Sequence, residues 1–134
     1  MSITKYNFPG KQRLKSRKQI EQLFKEGNQF AFFPIKVFWL PENMAETLQI
    51  AVAVSSRNFK KATDRNRIKR LMREAWRLNK EELGDVISQH KLKLSVFFLY
   101  VGKELPTYHL ISEKMTLVIQ KLIKINIGPA EKNI

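Results

Sequence analysis

The chain has 134 residues, 43% of them hydrophobic, which suits one globular domain with its own core and excludes wholesale disorder. It has no cysteine, so disulfides, thiolate catalysis and cysteine-ligated zinc are excluded. The formal net charge is +13, and the surplus sits in two segments: residues 1–20 carry six bases and no acid, and residues 57–80 carry ten bases against Asp64 and Glu74.

In chain order, residues 1–12 read as a flexible basic N-terminus broken at Pro9-Gly10. No apolar stretch there has the form of a secretory signal, and the longest apolar run, residues 96–101, is too short to span a bilayer. A cytoplasmic protein with no membrane contact is expected. Leu14, Ile20, Leu23 and Phe24 fall at near-helical spacing, which predicts a first helix over residues 14–25, with Ser16 as N-cap and Gly27 as stop.

The segment QFAFFPIKVFWLP is aromatic and β-branched, which favours strand. Pro34 cannot donate to a ladder, so it marks an edge or a break between two short strands. Beyond it Ile35, Val37 and Trp39 share one face and Lys36, Phe38 and Leu40 the other. Residues 41–46 read as a connection. Residues 48–54 read as a strand with an apolar face and a small or polar one, the latter open to solvent or ligand.

Residues 63–79 give the clearest helix, with Thr63 or Asp64 as cap. On a wheel starting at Arg65, Ile68, Leu71, Met72, Ala75 and Leu78 fall between about 220° and 340°, and Asn66, Lys69, Arg70, Arg73 and Arg77 between about 40° and 140°. Trp76 lies on the border, and Arg67, near about 200°, lies off the basic stripe. Residues 92–102 suit a strand covered on both faces, and a last helix starts near Pro106–Tyr108. Residues 128–134 read as a polar tail. The expected fold is α+β, in the order α-β-β-β-α-β-α: a mixed sheet packed by helices, in one domain over residues 13–127.

The residues that carry chemistry are sparse. His90 and His109 fall in predicted loops with no ligand set beside them, so no metal is assigned. No nucleophile elbow or phosphate loop occurs. Glu81, Glu82 and Asp85 cluster beyond the basic stripe, without the opposing group that a two-metal nuclease needs. No catalytic residue is expected in this chain. A concentrated positive charge repels itself unless a polyanion neutralises it, and nucleic acid is the first candidate. A structural RNA binder such as a ribosomal component fits size and charge equally well. A helix-turn-helix DNA binder lacks its partner helix, so DNA is not expected.

Residues 65–77 read RNRIKRLMREAWR. This stretch resembles the signature of the bacterial ribonuclease P protein component. The order of Arg13-Leu14, Phe24, Gly27, the aromatic strands, Val54-Ser55 and the basic approach 57–62 is also similar to that family. Two positions depart from it: Ile20 stands where many members have a second Phe, and residues 55–64 run one residue longer without the family's Gly.

The resemblance implies a protein subunit of an endoribonuclease whose RNA subunit, with magnesium, is the catalyst. It implies two partners, ribonuclease P RNA and precursor tRNA, whose 5′ leader is removed to form the mature 5′ end. It also implies a left-handed β-α-β crossover, against the usual hand. On this resemblance Arg65, Asn66, Arg67, Lys69, Arg70, Arg73 and Arg77 contact the catalytic RNA. Arg13, Lys15, Arg17, Ile20, Phe24, Lys36 and Phe38 line the leader path, where a single strand needs flat rings in a basic groove.

Overall fold

The computed structural model describes residues 17–42, 47–90 and 93–132. Among these, the elements are α1 (Arg17–Glu26), β1 (Asn28–Phe32), β2 (Ile35–Glu42), β3 (Thr47–Val54), α2 (Ala62–Asn79), α3 (Glu81–His90), β4 (Lys93–Tyr100) and α4 (Tyr108–Lys132). The α+β class and the mixed sheet are as expected. The order holds one helix more than the sequence predicts.

The four strands lie in the order β1-β2-β4-β3. β1 and β2 form an antiparallel hairpin with Phe33-Pro34 at its tip, so Pro34 is the break between two strands. β4 lies antiparallel to β2 and parallel to β3, so α2 and α3 form the crossover between β3 and β4. Pro41 stands opposite Leu94 within β2, where the sequence predicts a connection. β1 begins at Asn28 opposite Trp39, so β2 beyond Trp39 has β4 as its ladder neighbour, and a missing donor is tolerated on such an edge.

The two-residue period of the strands divides the sheet into two faces. Ile35, Val37, Ile50, Leu94, Val96 and Phe98 point to the main core, beneath α2, α3 and α4. Phe38 and Phe97 point to the other face and form a second cluster with Leu23 of α1. The helices α1 and α2 therefore cover opposite faces of one sheet. Gly27 ends α1 because of close approach: a Cβ there would collide with the Leu23 carbonyl oxygen and lie 3.1 Å from the Trp39 carbonyl oxygen. Leu14 and the Ser16 cap lie outside the described residues, as do residues 1–12.

In α2 the buried residues are Ile68, Met72, Ala75 and Trp76. Trp76 is wholly buried against Phe98, with ring centroids 5.5 Å apart, whereas Leu78 is 56% exposed. The buried arc is thus turned by about 50° toward Trp76 relative to the arc read from the sequence. The N-cap is Lys61, with no side-chain cap bond, in place of Thr63 or Asp64.

One residue, Lys80, separates α2 from α3. Where α3 stands, the sequence pattern predicts the end of the preceding helix, with its acids, and then a loop holding His90. Leu83, Val86 and Ile87 bury one face of this helix, and Glu81 and Glu82 in its first turn favour the positive end of the helix dipole. His109 likewise lies in the first turn of α4 rather than in a loop. The helix α4 continues to Lys132, past Gly128, where the sequence predicts the start of a tail. Extending a nucleated helix fixes one residue per hydrogen bond gained, so continuing a formed helix is easier than starting one.

Candidate RNA interface

The first surface is the outer side of α2. Asn66, Arg67, Arg70 and Arg73 are exposed, while Lys69 and Arg77 are half-buried. With the buried arc turned toward Trp76, the solvent side centres near Arg70. Arg67 lies about 60° from Arg70 on the wheel, so it shares the stripe that the sequence wheel denied it. Arg67, Arg70 and Arg73 follow at three-residue steps, which places them as neighbours along one helix side.

Glu74 places a counter-charge within the stripe. Arg77 donates from Nε to Glu74 Oε1 at 3.1 Å and from Nη2 to Oε2 at 2.7 Å, a fork-to-fork pair. The hydrogen bond from Arg77 holds the Glu74 carboxyl below its ordinary value. At the end of the stripe, burial and then the nearby Arg77 charge push the Lys80 ammonium downward.

Arg65 is turned differently from its neighbours. Its Nη1 donates to the carbonyl oxygens of Phe59, at 2.7 Å, and Lys60, at 2.8 Å. The family resemblance groups Arg65 with the residues that contact the catalytic RNA. In the structure it orders the loop that leads into α2, and on the wheel it lies beside Met72 and Trp76, away from the centre of the stripe.

The second surface lies on the opposite face of the sheet. Phe24 leaves α1 47% exposed. Its ring meets the edges of Phe38 and Phe97, at centroid distances of 4.8 Å and 5.1 Å. Lys36 Nζ lies 5.3 Å from the Phe38 centroid, placing a cation beside the rings. Ile20, Ala51, Ala53 and Leu99 pack around this cluster, half-buried. Phe38 is only 7% exposed. It backs Phe24 rather than offering a free ring, because α1 docks over it. Ile20, Phe24, Lys36 and Phe38 are thus brought together. Arg17 opens α1, and Arg13 and Lys15 lie outside the described residues.

Among the described residues, no group of three His, Asp or Glu could hold a metal ion. No helix among them is long and apolar enough to cross a membrane. The described residues thus present two surfaces on opposite faces of the sheet, one basic and one aromatic with a basic neighbour.

A family model described as Ribonuclease P matches residues 8–122. The chain belongs to the ribonuclease P protein family. It is 36% identical over 106 residues to the ribonuclease P protein component of Porphyromonas gingivalis strain ATCC 33277, covering 78% of this chain and 77% of that one. It is 35% identical over 81 residues to the component of Methylococcus capsulatus, covering 60% and 62%. The fold resembles the RNase P protein of Staphylococcus aureus, with TM-score 0.66 at 19% identity over 83% of this chain and 94% of that one. It also resembles the RNase P protein from Thermotoga maritima, with TM-score 0.64 at 24% identity over 81% and 96%.

As a member of this family, the chain is the protein component of an endoribonuclease holoenzyme that processes tRNA, and its partner is RNA. The ribosomal reading that charge and size allowed has no support in these relationships.

Proposed function

We propose that the two surfaces serve two different RNAs. The α2 stripe, through Asn66, Arg67, Lys69, Arg70, Arg73 and Arg77, binds the ribonuclease P RNA. The α1–sheet face, through Phe24, Ile20, Lys36 and the basic segment Arg13–Lys15–Arg17, takes the single-stranded 5′ leader of precursor tRNA. The RNA subunit, with magnesium, hydrolyses the phosphodiester bond in the cytoplasm, and this chain holds leader and catalyst together.

The observation that carries this reading is the placement of α1 and α2 on opposite faces of one sheet. A polyanion lying along α2 leaves the Phe24 ring available on the other face. Guanidinium groups at helical spacing suit the phosphates of a folded RNA, and they bind bidentately where Lys cannot. An exposed ring beside a cation suits an unpaired base.

The test is precursor-tRNA cleavage at near-physiological magnesium with a bacterial ribonuclease P RNA, with and without this protein, and with the protein alone. Strong stimulation only when both are present supports the proposal. Tight RNA binding without stimulation overturns it.

A further inference from the structure

The segment between β3 and α2 is secured from three sides. Asn58 Nδ2 donates to the carbonyl oxygens of Val101, at 3.4 Å, and Gly102, at 3.2 Å, beyond the end of β4. The Phe59 ring is buried and packs 6.0 Å from the Tyr100 ring. From the other side, Arg65 Nη1 donates to the carbonyls of Phe59 and Lys60. Two bonds use the whole donor capacity of that nitrogen. Arg65 also lies about 140° round α2 from Arg70, away from the middle of the basic stripe. Lys60 and Lys61, by contrast, are both exposed, and they immediately precede α2.

We propose that Arg65 is a positioning residue: by holding the Phe59 and Lys60 carbonyls it fixes Lys60 and Lys61 against RNA phosphates, and it does not itself contact phosphate. This rests on the reading that the α2 surface binds RNA. It adds Lys60 and Lys61 to that surface and gives Arg65 a different task from Arg70. An arginine in contact with phosphate adds an increment independent of its neighbours. One that acts through Lys60 and Lys61 has nothing left to contribute once they are gone, so the two models differ in a double-mutant cycle.

The experiment measures the dissociation constant of the full chain for ribonuclease P RNA. The variants are Arg65→Ala, Arg65→Lys, the pair Lys60→Ala with Lys61→Ala, and the triple substitution. In parallel, amide exchange of the RNA-free protein is followed at Asn58 and Phe59, both of which donate to the Ser55 carbonyl oxygen.

Arg65→Ala is expected to weaken binding about tenfold, and by less than about twofold in the background lacking both lysines, a coupling of at least about fivefold or ~1 kcal/mol. Arg65→Lys, whose ammonium can donate to both carbonyls, keeps most of the affinity and remains informative if Arg65→Ala fails to fold. Exchange at Asn58 and Phe59 quickens in Arg65→Ala. An equal loss in both backgrounds, a loss in Arg65→Lys as large as in Arg65→Ala, or unchanged exchange overturns the proposal. Failure of the unmodified protein to bind this RNA overturns the RNA reading itself, and is told apart because the exchange arm contains no RNA.

Discussion

The Phe24 ring stands at 77° to the Phe38 ring with centroids 4.8 Å apart, so an exposed aromatic is held upright by a buried one. Edge-to-face pairs of this kind are worth about 0.5–1.5 kcal/mol beyond the area they bury. The geometry separates two rings that the sequence reading placed together on the leader path: Phe38 is buried as a support, and Phe24 is the one exposed to solvent.

Substituting the two rings should therefore give different failures. Phe38→Ala empties a buried position and should cost about 3–5 kcal/mol of stability. Phe24→Ala removes a half-exposed ring and should cost much less. Urea unfolding of both variants checks this, and equal midpoints would contradict the assigned roles.

Paired removal of Arg70 and Arg73 should act on RNA assembly through charge. Every phosphate that loses its basic partner reduces the steepness of log K against log salt by about 0.7–0.9, so Arg70→Ala with Arg73→Ala should flatten the slope by roughly 1.5. Affinity for ribonuclease P RNA measured across a salt series gives the slope. An unchanged slope would remove the stripe from the binding surface.

Glu74 offers a pH test whose sign follows from its pairing. The Arg77 bond holds its carboxyl below the ordinary value of 4.5, so the folded state binds its proton less readily than the unfolded chain. The stabilisation is present above pH 4.5 and is lost as pH falls through the lowered folded value. The Glu74 side chain is 39% exposed, so solvent screens the pair and the effect is small. Glu74→Gln should flatten the acid limb of a stability-against-pH curve. At neutral pH the same change removes the counter-charge beside Arg77, so RNA binding should tighten rather than weaken.

Much of this architecture is legible in the sequence where the information is local. Ile35, Val37 and Trp39 alternate with Lys36, Phe38 and Leu40 because a strand has period two, and the structure keeps that division. The basic side of α2 is legible for the same reason at period 3.6.

What escaped depends on contacts between distant segments. α3 offers only Leu83, Val86 and Ile87 as an apolar face and follows α2 after one residue, so its signal merges with its neighbour's. The burial of Phe38 depends on where α1 docks. The turn of the α2 wheel is set by Trp76, which the sequence places at the core or its edge; centring the buried arc nearer to it puts Arg67 on the stripe and Arg65 off it. The carbonyls that Arg65 captures belong to a loop whose course no periodicity encodes. The parallel pairing of β3 with β4 is equally non-local.

The central claim is that opposite faces of the sheet serve different RNAs. It is tested most directly by comparing holoenzyme affinity for precursor tRNA with and without its leader, using the unmodified protein and Phe24→Ala, each at saturating ribonuclease P RNA. Stacking of one base is worth about 1–3 kcal/mol. The account predicts that Phe24→Ala loses at least about fivefold in affinity for the leader-bearing substrate, with no change for the leaderless one and none in affinity for the RNA subunit. An equal loss for both substrates, or weakened assembly with the RNA subunit, would contradict it.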